Sequence, residues 1–306
     1  MAKSSNYIEY LLFKLTYSFL SILPIGLLKR VLTIPARIAC GLGIRKKIVE
    51  VNLQAAFGKE LSGKELDKMV KCCYKELGRT IAEIIKSEFI VRNSEKKSIS
   101  GLEILQREID SGKGVMVLTA HMGNFLACGY ILGNMGIHMN VVGKPLRNPL
   151  LNEEFNRIRE KYGNRLITIK GFRDDPGGGY SIYKSLKRGE IVIILNDQDA
   201  GPYGYFGTFF GYPSSIPSGP ARFAFRTGST VTTGFAGRND GNLVIEIQEP
   251  IDYSQAENDE DAERIILDEY SKRLEEKVRK SPELYFWFHK KWKSTPEIFR
   301  RYTSRP

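Results

Sequence analysis

Three histidines and four cysteines in 306 residues leave little material for a metal centre. Cys40, Cys72, Cys73 and Cys128 form no Cys-x-x-Cys pair and no zinc-type spacing with histidine, which argues against structural zinc. The adjacent Cys72 and Cys73 are badly placed to bridge each other, so a reducing compartment is the simpler setting. Internal repeats and low-complexity tracts are absent. The one glycine-rich stretch, "GFRDDPGGGYS" (171–181), lacks the Lys-Ser/Thr ending of a phosphate-binding loop and reads as a flexible surface loop or lid. No helix-turn-helix or arginine–aromatic reader pattern occurs, which argues against nucleic acid as the partner.

Hydrophobic residues at 42% and charged residues at 26% exclude global disorder, and the length allows a full core. Charge is unbalanced: 46 Lys and Arg against 35 Asp and Glu give +11, which favours an anionic membrane, nucleic acid or an acidic substrate without choosing among them. An apolar segment, "YLLFKLTYSFLSILPIGLLKR" (10–30), opens the chain. Its uncharged part, Leu15 to Leu28, falls short of the roughly 20 residues that span lipid and is broken by Pro24 and Gly26. No clean signal-peptide cleavage site follows. A second stretch, "VLTIPARIACGLGI", ends at Arg45-Lys46-Lys47, and basic residues follow both. The pattern predicts two short helices lying in or dipping into a bilayer with lysine and arginine at the headgroups. A single span and a pair of buried core helices are the competing readings. Residues 1–45 are therefore set apart as a membrane-associating helical segment, and 46–306 as the main domain.

"LSGKELDKMVKCCYKELGRTIAEIIKSEF" predicts one long amphipathic helix with Ser62 and Glu65 as a capping box and a core-facing stripe from Leu66 to Ile85. From residue 100 the pattern changes to short apolar runs: 114–120, 138–144, 165–170 and 191–197. Runs apolar on both faces predict a parallel sheet covered by helices. "TVTTGFAGR" and "NLVIEIQEP", joined by Asn239-Asp240-Gly241, predict a hairpin, so the fold class is α/β with a mixed, mostly parallel central sheet. "DAERIILDEYSKRLEEKVRK" predicts a late charged helix.

His121 directly follows the run 114–120, and Asp197 and Asp199 close the run 191–197. Sites in α/β sheets gather at the carboxyl ends of strands, so His121 and one of these aspartates share an edge if their strands are near neighbours.

"AHMGNF", "KPLRNPLLNEEFNRIREKYG", "NDQDAGPYGYFGTFFG", "PSGPARFAFRTGS" and "PELYFWFHKKWKSTP" resemble, in order and spacing, the lipid A biosynthesis acyltransferases of the lysophospholipid acyltransferase superfamily. The likeness runs from the N-terminal apolar segment to about Arg300. It implies transfer of a fatty acyl group from an acyl carrier protein, or coenzyme A, to a hydroxyl of an anionic glycolipid at the cytoplasmic face of the inner membrane. It implies His121 as general base, and an acid five residues on to orient the ring. That position is Leu126. Three readings follow: Asp197 or Asp199 substitutes for the acid, a neutral group such as Asn124 or a backbone carbonyl fixes the tautomer, or the chain binds donor or lipid without efficient transfer. Lys144, Lys290 and Lys291 stand where the family favours arginine, keeping charge without the bidentate fork. Lys144, Arg147, Asn124, Asp199 and His289 are candidate substrate contacts, with Arg222 also within reach in sequence. Tyr203, Tyr205, Phe206, Phe209 and Phe210 are read as an acyl groove or as core. The thioester is already activated, so no metal or organic cofactor is expected.

Overall fold

Strands that are apolar on both sides need cover on both sides, and the fold supplies it. The computed structural model describes residues 2–58, 60–94, 98–169 and 176–303. Among the described residues the central sheet has seven strands: β1 (Ile99–Ser100), β2 (Val115–Thr119), β3 (Met139–Gly143), β4 (Arg165–Thr168), β5 (Ile191–Leu195), β8 (Thr230–Asn239) and β9 (Asn242–Ile247). Their order is β1-β9-β8-β2-β5-β3-β4. β8, β2, β5, β3 and β4 run parallel, while β9 returns antiparallel to β8 through the Asp240-Gly241 turn and carries β1 alongside. Along β2, Met116 and Leu118 enter one apolar cluster, and Val115 and Val117 enter the other. The first cluster is completed by α9 (Pro176–Lys187), α10 (Gly219–Thr227) and α11 (Asp259–Lys280), together with α3 (Lys46–Phe57) and α4 (Gly63–Ile85). The second takes Leu105 from α6 (Leu102–Asp110) and Cys128, Ile131 and Leu132 from α7 (Phe125–Asn134).

The N-terminal stretch forms two helices, α1 (Ala2–Ile22) and α2 (Ile25–Gly41), parted at Pro24. α2 packs along α4. α1 packs on α8 (Pro149–Lys161), where Lys14 pairs with Glu154 at 2.8 Å and the Phe13 and Phe155 rings meet at 5.8 Å. The outward side of α1 is an apolar stripe of Ile8, Leu12, Leu15, Phe19 and Ile22, exposed at i, i+4, i+7 spacing. Among the described residues no helix is long and apolar enough to cross a membrane.

Four expectations are corrected. Ser62 does occupy the N-cap of α4, but its hydroxyl makes no cap hydrogen bond; only its carbonyl serves, accepting from Glu65 N at 3.0 Å. The predicted single helix stops at Ile85, and α5 (Ser87–Arg92) continues after a turn at Lys86. Ile81 leaves the core-facing stripe and is exposed. The glycine-rich stretch is not all loop: Pro176 to Gly179 form the first turn of α9, with proline where its missing N–H costs nothing, and residues 170–175 lie outside the described residues. A hairpin that sequence patterning did not reveal, β6 (Tyr205–Phe209) and β7 (Tyr212–Ile216), packs against α11.

Candidate active site

Register decides which side chains meet. Thr119 at the end of β2 stands opposite Leu195 at the end of β5. The ladder runs one step further, Asn196 N donating to Thr119 O at 3.0 Å. Two residues beyond Thr119 is His121, and two beyond Leu195 is Asp197. Asp197 Oδ1 lies 2.8 Å from His121 Nδ1. Asp197 is 2% exposed, while the His121 side chain keeps 26% of its surface open. Burial alone would raise the Asp197 carboxyl; the adjoining His121 ring, its hydrogen bond and Lys291 outweigh that and hold it below the usual carboxylate range. An Nδ1–H donated to Asp197 leaves Nε2 as the acceptor, and the Gln198 amide nitrogen approaches Nε2 at 3.5 Å. Phe125 stands edge-on to the imidazole at 5.1 Å and Phe286 lies tilted at 6.2 Å, so the ring is walled on two sides and open elsewhere.

The C-terminal segment holds this arrangement in place. Phe286 N donates to His121 O at 2.9 Å and Gly123 N to Leu284 O at 2.9 Å, around a bridge between Met122 and Tyr285. Lys291, 4% exposed, donates from Nζ to the Asp197 carbonyl oxygen at 2.7 Å. Burial pulls its ammonium down to about 8, with Asp197 and Asp199 opposing. Asp199 is a fastener: Oδ1 accepts from Gly201 N at 2.9 Å and Ser294 Oγ at 2.8 Å, and Oδ2 accepts from Ser294 N at 2.8 Å. Asn52 on α3 donates to the carbonyls of Trp287 and His289 at 2.8 and 2.7 Å.

A chain match over residues 2–294 corresponds to the bacterial lipid A biosynthesis acyltransferases. The chain belongs to that family. It is 25% identical over 263 residues to the lipid A biosynthesis palmitoleoyltransferase of Escherichia coli K12, covering 82% of this chain and 80% of the relative. It is 25% identical over 303 residues to the lauroyltransferase of the same organism, covering 91% and 93%. A shorter match, 28% over 149 residues and 48% and 46% of the two chains, joins it to a phosphatidylinositol mannoside acyltransferase of Mycobacterium tuberculosis H37Rv. The protein is an O-acyltransferase with an acyl donor and a lipid-type acceptor as substrates.

Other candidate residues of this acyltransferase fall in different places. Leu126 packs, partly buried, on the second apolar cluster. Asn124 is the N-cap of α7: Oδ1 accepts from Ala127 N at 3.1 Å, while Nδ2 is buried without a partner among the described residues. Lys144 and Arg147 are exposed in the segment after β3, at the same carboxyl edge of the sheet, with β3 beside β5. His289 is half-buried, its Nδ1 without a hydrogen-bond partner among the described residues, and burial lowers its pKa. Arg222 is drawn off by Glu263 on α11. The aromatic residues do not share one groove: Phe209 and Phe210 are core, whereas Tyr203 and Phe206 face solvent. Sequence reasoning missed Gln198, Phe125 and Phe286 around the ring. Gln198 sits between the two aspartates of the DQD block, which was the available signal. A cavity of about 1020 Å³ lies at the other end of the sheet, where it is lined by Ile137 to Asn140 and Gly189 to Ile191.

Proposed function

We propose that the protein moves a fatty acyl group from a thioester of acyl carrier protein or coenzyme A to a hydroxyl of a glycolipid of lipid A type, with His121 as general base and Asp197 as the group that orients it. The 2.8 Å contact between His121 Nδ1 and Asp197 Oδ1 carries this reading. With Nδ1–H held by the carboxylate, the Nε2 lone pair accepts the proton of the acceptor hydroxyl as its oxygen attacks the thioester carbonyl. The C–O bond forms, the C–S bond breaks, and the proton passes from Nε2 to the departing thiolate. Lys144 and Arg147, exposed along the same edge, suit phosphate groups of donor or acceptor.

Purified protein, labelled acyl donors and a panel of lipid acceptors test this. Asp197→Asn presents an N–H to Nδ1 and favours the wrong tautomer, so transfer falls by about ten thousandfold, as in serine hydrolases. A wild-type rate in that variant removes Asp197 from the mechanism. The rival reading, a catalytically impaired homologue, is motivated by Leu126; it holds if the unaltered chain binds donor yet transfers no faster than His121→Ala.

The exposed stripe on α1 supports docking at the bilayer interface, with the apolar face laid into the headgroup boundary and the domain on the cytoplasmic side of the inner membrane.

A further inference from the structure

Arg37 and Gly41 on α2, Lys46 at the start of α3, and Lys68, Lys71 and Lys75 on α4 surround a cavity of about 460 Å³. Lys68, Lys71, Cys72 and Lys75 fall at i, i+3, i+4 and i+7, so one face of α4 turns its charges into a single concavity. Among the described residues no carboxylate lines it. Asp67 reaches two of the cations from outside, Lys71 at 2.6 Å and Lys46 at 3.6 Å, and Glu50 reaches Lys46 at 3.7 Å. Among the described residues no carboxylate lies within ion-pair distance of Arg37, Lys68 or Lys75. Like charges gathered around a cavity repel one another, and a bound anion relieves that repulsion.

The surroundings indicate which anion. On α2, Ile34 and Ile38 are exposed, followed by Leu42, and this apolar strip lies about 60° around the helix from Arg37 and Gly41. A ligand in the cavity thus meets cations on one side and an exposed apolar strip beside them. Three ring contacts lie between the cavity and the reacting ring. The cavity's floor residue Tyr74 meets Phe288 at 4.8 Å, Phe288 meets Phe286 at 5.3 Å, and Phe286 lies 6.2 Å from His121.

We propose that this cavity binds the phosphodiester headgroup of an anionic bilayer phospholipid that is not the acyl acceptor, anchoring the α2–α4 end of the enzyme while the α2 strip contacts the acyl region. The proposal rests on the interfacial docking of α1 and adds a specific headgroup site to it.

Sedimentation of the full chain with phosphatidylcholine vesicles and with equimolar phosphatidylcholine–phosphatidylglycerol vesicles tests it. The triple variant Arg37→Gln/Lys68→Gln/Lys75→Gln is compared with Lys113→Gln/Lys184→Gln/Lys280→Gln, which removes as many exposed cations elsewhere. Each cation near an anionic surface is worth about fivefold in affinity, so the cavity variant loses about a hundredfold on the phosphatidylglycerol vesicles only. Transfer to a detergent-dispersed acceptor stays at the wild-type rate, showing that the variant folds. Equal loss in both triple variants overturns the site in favour of diffuse surface charge. Competition by inorganic phosphate as strong as that by a soluble short-chain phosphatidylglycerol overturns the lipid assignment. Unchanged vesicle binding with lost affinity for acyl carrier protein does so too, in favour of a protein partner. If the wild type fails to sediment with either vesicle, the interfacial docking itself falls; if it sediments and the cavity variant matches it, only the headgroup site does.

Discussion

Lys291 should cost the fold stability while serving the site, and Lys291→Met separates the two effects. Its ammonium is 4% exposed and its pKa is pulled from 10.5 to about 8. At about 1.4 kcal/mol for each pH unit, burying the charged form costs about 3 kcal/mol relative to the unfolded chain. Below pH 8 both states hold the proton and the full cost is present. Between about 8 and 10.5 the unfolded chain holds the proton that the folded chain has shed, so stability rises with pH across that window. Methionine removes the cost, but it also leaves the Asp197 carbonyl short of the 2.7 Å donor, a loss of about 1–3 kcal/mol, and gives up the contact 4.7 Å from the Phe209 ring. At pH 7 these offset, and urea unfolding places the variant close to wild type. By pH 10.5 the wild type gains about 3 kcal/mol on it. Acyl transfer at pH 7 meanwhile drops about tenfold to a hundredfold, because the strand end that aims Asp197 at His121 loses its anchor. Stability curves that stay parallel from pH 7 to 10.5 refute the buried-charge argument, and an unaltered rate refutes the positioning role.

Leu126→Glu places a carboxylate against the apolar cluster beneath α7, so Tm falls by roughly 5 °C and the transfer rate does not rise; a faster variant contradicts the assignment of the orienting role to Asp197. Asp199→Ala removes three accepted hydrogen bonds and frees the loop at Ser294, costing about 3 kcal/mol in urea unfolding, with the rate falling alongside; loss of activity at full stability points instead to substrate contact. Leu15→Ser/Phe19→Ser changes side chains that are 69% and 68% exposed, so unfolding is unaffected while vesicle partitioning drops roughly a thousandfold; unchanged partitioning removes the α1 stripe from the membrane contact.

Much of the fold is written in local patterns. The strand segments 115–118 and 191–195 are apolar at every position because both sheet faces are covered, and Met116, Val117 and Leu118 each have an apolar cluster to enter. Asp240-Gly241 announces the β8–β9 turn through residues that tolerate positive φ, 49° and 79° here. The β6–β7 turn hides because Phe210 takes a φ of 52° that phenylalanine does not advertise. The Ser62 box reads correctly as a helix start, yet its side-chain bond depends on where the preceding loop directs the hydroxyl.

The site divides along the same line. Sequence by itself marks His121 and two aspartates as strand-end residues, the α1 and α2 helices as apolar, and the C-terminal aromatic block as belonging with the rest of the family pattern. It offers an acid, with Asp197 favoured over Asp199, or a neutral group to orient the imidazole, beside a reading without efficient transfer, and only the first can be ranked, since the nearest spacing rule points at Leu126. Only the tertiary structure puts β5 beside β2 in the register Thr119 to Leu195, so that a carboxylate 76 residues away ends 2.8 Å from the ring. Periodic burial acts on each residue and its near neighbours, and therefore leaves its trace in the chain. Strand order and register are fixed by the packing free energy of the whole core, which no single segment carries.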